Sequence, residues 1–232
     1  DLAVLGPRAR RRIERLARTP AVFVGVLSGR RIDDLKRAVG ISGLYYAGTN
    51  GLELDWWGVP VVHVDSDRAA RLVVMVADRV RRTAARYSGA WVEQKPLGLT
   101  VHYRHVQPNR IGGLREEVAA ALAPFSGRLR VLDGAMAIEA MPDVGWSKGS
   151  AVTMFVEHLG GNTVLPCYAG DDANDADAMI ASAVLGGVAI GIGPSAPLAA
   201  LYNLPDPEAL GCCLDALQGM LATGSIKRTR WK

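Results

Sequence analysis

Residues 163–169 form an apolar run that ends at Gly170 and then meets four aspartates in seven positions, Asp171, Asp172, Asp175 and Asp177. A helix-like Ala/Met/Ile pattern follows. Carboxylates this dense repel one another unless something neutralises them. A strand that runs through Gly-Asp-Asp into a helix is a common setting for a hard cation at the carboxyl edge of an open α/β sheet. Taken alone, the segment reads equally well as a solvated helix start, where the helix dipole favours acidic residues. Both readings demand a strand-to-helix unit, so the rest of the chain has to supply its sheet.

Much of it does. Pro7 suits the first position of a helix through Arg18, with Ile13, Leu16 and Ala17 facing inward. Ala21 to Leu27 is valine-rich and apolar, as expected of a parallel strand buried on both faces. It ends in Ser28-Gly29-Arg30, and a helix with Ile32, Leu35 and Val39 runs to Gly40. A short strand, Leu44 to Ala47, leads to the turn Gly48-Thr49-Asn50-Gly51. The pattern then changes. Strands at 52–55 and 59–64, a long arginine-rich helix at 67–87, strands at 90–95 and 99–104, a helix at 110–123 and a hairpin around Asp133-Gly134 read as an α+β unit. After Pro142 strand and helix alternate again, with helices at 147–159, 172–182 and 206–221 and strands at 163–169 and 188–192. The predicted fold is α/β. A Rossmann-like parallel-sheet core, residues 1–51 and 142–232, carries an inserted α+β cap, residues 52–141.

Composition limits the partners. Hydrophobic residues make up 49% and charged residues 22%, which is ordinary for a soluble globular chain. No apolar run reaches the ~18 residues of a membrane span, and the Arg-rich start lacks a signal-peptide h-region. Cys167, Cys212 and Cys213 are few and odd in number, which favours a reducing, cytoplasmic setting over a disulfide scaffold. The net charge of +4 is local: Arg8, Arg10, Arg11, Arg12, Arg15 and Arg18 crowd one helix, and Lys227, Arg228, Arg230 and Lys232 end the chain. Without interleaved aromatic residues or a reading helix, these read as a solvated face and a frayed terminus, with no nucleic-acid partner. A monomer or a weak homo-oligomer is expected.

Three segments lie past predicted strands or at helix starts, where the carboxyl ends of parallel strands converge. Ser28 offers a hydroxyl and helix N-terminal N–H groups to a phosphate oxygen. Lys148 adds a point charge for the same anion. Asp171, Asp172 and Asp175 could hold a divalent cation. Hydroxyl, ammonium and cation around one phosphoryl group make a phosphoryl-transfer site by charge and positioning.

The order of these segments resembles the haloacid dehalogenase superfamily of phosphatases with a large inserted cap, and within it the trehalose-6-phosphate phosphatase family. The resemblance rests on Leu27-Ser28-Gly29-Arg30, residues 46–53, Glu93-Gln94-Lys95, Thr100-Val101-His102-Tyr103-Arg104, Ile138-Glu139, Trp146-Ser147-Lys148-Gly149, Gly170-Asp171-Asp172 with Asp175, and residues 202–207. It covers nearly the whole chain. It implies Mg²⁺-dependent hydrolysis of a phosphorylated sugar, with Ser28 and Lys148 holding the transferring phosphoryl group. Asp171 would be the direct Mg²⁺ ligand, and Asp172 and Asp175 would ligate directly or through water. Arg30, Asn50 and the cap residues Glu93, Lys95, His102, Arg104 and Glu139 would contact the substrate. Carboxylates and fixed cationic donors are suitable partners for sugar hydroxyls.

The resemblance also exposes a gap. The family's first motif, Asp-x-Asp-Gly-Thr, supplies the nucleophile and the general acid/base, and nothing before Leu27 reads that way. The motif is expected upstream of Asp1, on a strand between those matching residues 21–27 and 163–169. The alternative is a sugar-phosphate-binding or regulatory homologue without turnover. Ala140-Met141-Pro142, Asn174, Ala176 and Gly48-Thr49-Asn50-Gly51 also depart from the family pattern, which leaves room for another phosphorylated disaccharide or glycoside.

Overall fold

The structure, a computed structural model, describes residues 4–62, 66–95, 97–134 and 136–223. Asp1, the end of the strand expected at 59–64, the turn residues Pro96 and Ala135, and the basic residues at 227–232 lie outside the described residues. The first stretch holds α1 (Pro7–Ala17), β1 (Gly25–Leu27), α2 (Ile32–Val39), β2 (Tyr45–Gly48), β3 (Glu53–Trp56) and β4 (Val59–Val62). The middle holds α3 (Ser66–Ala84), β5 (Trp91–Lys95), β6 (Gly98–His102), α4 (Pro108–Leu122), β7 (Leu129–Gly134) and β8 (Ala137–Pro142). The last part holds α5 (Lys148–His158), β9 (Cys167–Gly170), α6 (Ala176–Val184), β10 (Val188–Ile192), β11 (Tyr202–Leu204) and α7 (Pro207–Ala222). Two compact units result, one of Asp1–Val61 with Ser147–Lys232, the other Val62–Trp146. The inserted unit therefore starts later than the expected residue 52 and ends later than 141. β3 pairs antiparallel with β2, Tyr45 opposite Trp56 and Gly48 opposite Glu53, so the first hairpin extends the sheet of the first unit.

The first unit contains two sheets, β1-β2-β3-β4 and β11-β10-β9, and every pairing among β1/β2 and β9/β10/β11 is parallel. Helix α5 ties the sheets together. Its Phe155 meets Tyr45 at 5.2 Å and Trp56 at 6.2 Å between ring centroids, and His158 lies 4.2 Å from Trp56. On its other side Val152 and Val156 pack with Ala178 of α6, and Leu27 of β1 and Tyr168 of β9 rest on that same cluster. Helix α1 docks on α7 through arginines. Arg12 reaches both Glu208 (3.0 Å) and Asp215 (2.9 Å), and Arg15 reaches Asp215 (2.6 Å). Arg8 also reaches Glu208 (2.9 Å) and Arg12 is buried, so three of the six arginines read as a solvated face form a docking seam. The signal was missed because its acidic partners lie some 200 positions away.

Several strands differ from expectation. β1 and β9 are short and only partly buried, whereas fully buried strands were expected over 21–27 and 163–169. Among the described residues each has a strand on one side only, β2 beside β1 and β10 beside β9. The hairpin near residue 134 turns two residues later than expected: Asp133 and Gly134 still pair, with Ile138 and Ala137. Strand β11 was not foreseen.

The second unit is an antiparallel sheet in the order β5-β6-β8-β7. Its side chains alternate between faces. Leu99, Val101, Ile138 and Ala140 form one face and are covered by Val76 and Val80 of α3 and by Leu114 and Val118 of α4. The polar residues of the same strands take the other face.

Candidate functional site

Helix α5 begins in a cap. Ser147 accepts N–H bonds from Gly149 (3.1 Å) and Ser150 (3.4 Å), and its own N–H donates to Ser150 Oγ (3.2 Å). This reciprocal arrangement satisfies helix N–H groups that otherwise have no partner. It also fixes Lys148 as the first helical residue. Lys148 is 6% exposed, and a buried ammonium needs counter-charge. Its Nζ donates to Asp175 Oδ1 and to Asn174 Oδ1, both at 2.7 Å. An ammonium has three N–H donors, so one remains for an external acceptor.

Asp175 organises this corner. Oδ1 also accepts from the Tyr168 hydroxyl (2.6 Å), while Oδ2 accepts the backbone N–H groups of Asp171 (3.1 Å) and Asp172 (3.2 Å). Burial alone would raise the Asp175 carboxyl. The charge of Lys148 and the bonds from Lys148, Tyr168 and the Asp172 N–H outweigh it and hold the group below its usual range. Burial, and then the proximity of Asp175, push the Tyr168 phenol far above the ordinary tyrosine range, so it stays a donor. Close backbone approach makes this possible. A Cβ on Gly170 would fall 2.5 Å from the Asp175 carboxyl carbon, and one on Gly149 would fall 2.5 Å from the Asp177 carbonyl oxygen.

The remaining expected metal ligands, Asp171 and Asp172, are exposed. Asp172 caps the 3-10 turn at 173–175 by accepting the Ala173 N–H at 2.5 Å. Among the described residues no group of three His, Cys, Asp or Glu side chains is placed to hold a metal ion. With both oxygens of Asp175 engaged, Asp171 and Asp172 are the hard oxygen donors left over. They fall short of the near-octahedral oxygen shell that Mg²⁺ prefers.

Ser28 follows β1. Its N–H donates to the Ala47 carbonyl (2.9 Å), and its Oγ accepts the Arg30 N–H (3.2 Å). That leaves the hydroxyl proton to donate. Arg30 is half-buried, and its carbonyl accepts the Thr49 N–H at 2.6 Å. Asn50 is buried, has φ 57°, donates its N–H to the Ser28 carbonyl and lies against Gly29. Glu53 joins the two loops, since Oε2 accepts from the Ile32 N–H (3.0 Å) and the Thr49 hydroxyl (2.8 Å). Helix α5 packs against both the 49–51 turn and the 173–175 turn, so the loops carrying Ser28, Asn50 and the aspartates gather around one helix.

The second unit brings four of its five expected residues to one sheet face. Glu93 and Lys95 alternate along β5, Glu93 pairs with Thr100, Thr100 pairs with Glu139, and His102 pairs with Trp91. His102 Nε2 lies 2.9 Å from Glu93 Oε2. Arg104 falls in the turn beyond β6 and is exposed. Sequence reading missed Tyr168 and Glu53 as holders of the site. The one available signal was a hydroxyl-bearing residue inside the apolar run before Gly170.

A partly parallel α/β unit, with phosphate-suited donors at strand ends and an inserted α+β unit, defines a haloacid-dehalogenase-type fold. Residues 1–193 match the trehalose-phosphatase family, and the chain belongs to that family. A trehalose-phosphate phosphatase of Mycobacterium tuberculosis is 37% identical over 187 residues, 77% of this chain and 46% of its own length. That of Mycolicibacterium paratuberculosis is 40% identical over 179 residues, 73% of this chain and 43% of its own. The chain thus spans about half the length of the curated relatives it matches. In fold it is similar to the C-terminal domain of Candida albicans trehalose-6-phosphate phosphatase, with a TM-score of 0.80 at 20% identity over 94% of this chain and 86% of that one.

Proposed function

We propose that this chain supplies the phosphate-holding and sugar-recognising parts of a phosphatase that hydrolyses the monoester of trehalose 6-phosphate. The observation that carries the reading is Lys148, a buried ammonium held by Asp175 and Asn174 with one donor to spare, in a chain of the trehalose-phosphatase family. That donor and the Ser28 hydroxyl would grip two oxygens of the phosphoryl group and offset the charge that grows as the ester bond breaks. Arg30 and Asn50 would line the phosphate side. Glu93, Lys95, His102, Arg104 and Glu139 would take the sugar, whose hydroxyls pair well with carboxylates and fixed cations.

In this reading the nucleophile is an aspartate that precedes Asp1, on a strand seated between β1 and β9. The edges of those strands that have no partner among the described residues, and the shared cluster under Leu27 and Tyr168, support that placement. The carboxylate would attack phosphorus, the sugar oxygen would leave and be protonated, and water would release phosphate from the aspartyl-phosphate. Mg²⁺ would be held in part by Asp171 and Asp172, with further oxygens from outside the described residues, and would supply charge neutralisation when bound.

The test is phosphate release from trehalose 6-phosphate and a panel of other phosphorylated sugars by the full-length polypeptide, with and without Mg²⁺. Release that is lost in Lys148→Ala supports the reading. No release from any sugar phosphate overturns it, and binding without turnover would mark a sugar-phosphate-binding homologue.

A further inference from the structure

The polar face of the second unit carries an aromatic side chain that the roles above leave unused. Trp91 opens β5, and its indole stacks on the His102 imidazole, 3.9 Å between centroids and 17° between planes. His102 is in turn fixed by Glu93 at 2.9 Å, its Nε2 proton donated to the carboxylate. The indole is therefore held on one side by a ring that is itself held. Yet Trp91 is 51% exposed, so much of its surface is open. An exposed indole with a fixed orientation offers a large, rigid apolar surface at little further entropic cost. Its neighbours along the same face are Glu93, Lys95 and Glu139.

This combination matches the chemistry of a pyranose. One face of the ring presents C–H groups and behaves as an apolar plate, while the rim carries hydroxyls that want charged acceptors and donors. We infer that Trp91 is a sugar-stacking residue that determines specificity: its open indole face receives the C–H face of a pyranose ring whose hydroxyls are taken by Glu93, Lys95 and Glu139. The inference rests on the sugar-phosphatase reading and adds to it a requirement for a ring. The stack on His102 ties the aromatic plate and the carboxylate together, so a sugar would meet both in one geometry.

The experiment compares wild-type full-length protein with Trp91→Ala and Trp91→Phe on trehalose 6-phosphate and on glycerol phosphate, a monoester with no ring. Trp91→Ala should raise KM for the sugar phosphate about tenfold with kcat nearly unchanged, the size expected of one aromatic stacking contact. Trp91→Phe should recover most of that loss, and glycerol phosphate kinetics should be the same in all three proteins. An unchanged sugar KM in Trp91→Ala overturns the stacking role and leaves the phosphatase reading standing. An equal loss on both substrates also overturns it, because the residue would then be structural. If wild type hydrolyses no sugar phosphate, the phosphatase reading fails. Stacking is then decided by indole fluorescence on titration with trehalose 6-phosphate, where a quench missing from Trp91→Phe supports it and no quench in wild type overturns it.

Discussion

Lys148 and Asp175 are 6% and 5% exposed, and neither charge could be buried without the other. Asp175→Asn leaves the ammonium without a counter-charge and should cost about 3–5 kcal/mol of stability, read from urea denaturation. Removing both charges with Lys148→Met and Asp175→Asn together should cost less than Asp175→Asn alone, because the pair offsets its own desolvation. The same pair sets an acid response. The folded Asp175 carboxyl lies below its ordinary value of 3.8, so the stability it lends is complete above that value and is lost as pH falls through the lowered one. Thermal midpoints of wild type and of Asp175→Asn should therefore converge in acid below 3.8, since protonated Asp175 leaves the Lys148 ammonium as unpaired as the amide does. At this scale the sequence was informative about residue type. Four aspartates in seven positions and a lysine at an expected helix start marked a charged site. It could not divide the labour among the aspartates. Asp175 is saturated by donors from four places, Lys148, Tyr168 and two backbone N–H groups, and only folding brings these together.

Among the elements, α5 has the most to hold. It sets Lys148 with its first turn and wedges Phe155 between Tyr45 and Trp56 with its last. Phe155→Ala should cost about 3–5 kcal/mol, the usual penalty for emptying an aromatic site in a core. Chemical denaturation checks the size. Circular dichroism should show the native spectrum retained at low denaturant, since the capping box at Ser147 is untouched. Helix ends were the most legible elements, because their signals are local: helices expected from residues 147 and 206 prove to be capped by Ser147 and Asp206, and Gly40, with φ 65°, is the stop. Strand lengths were less so. Apolar runs at 21–27 and 163–169 promise long buried strands, but pairing decides how much of a run becomes strand, and β1 and β9 each have one partner among the described residues. The β3–β4 hairpin, expected within the insertion, joins the sheet of β1 and β2 for a related reason. Local turn chemistry announces a hairpin without saying which sheet it joins, and here β3 pairs with β2.

For the molecule as a whole, the proposed reading gives the phosphate to the first unit and the sugar to the second. Phosphate-suited donors, Ser28 and Lys148, belong to the first unit, and the sugar-suited face of Glu93, His102 and Glu139 belongs to the second. The overall α/β plan with an insertion was readable from the break and return of strand–helix alternation, because periodicity changes where a chain leaves one sheet for another. Such a division would have a kinetic signature. Binding energy from a remote part of a substrate affects only substrates that possess that part. Lys148→Ala should therefore depress kcat on trehalose 6-phosphate and on glycerol phosphate alike, by about 10²–10³-fold, the range for losing one preorganised charge stabiliser. Glu93→Gln with Glu139→Gln should raise KM for the sugar phosphate by about 10–100-fold, as two charge-assisted hydrogen bonds weaken. Glycerol phosphate turnover in that variant should match wild type. Steady-state kinetics on the two substrates decides the matter. If the glutamine pair damages both equally, the second unit acts through the first, and recognition is not divided between them.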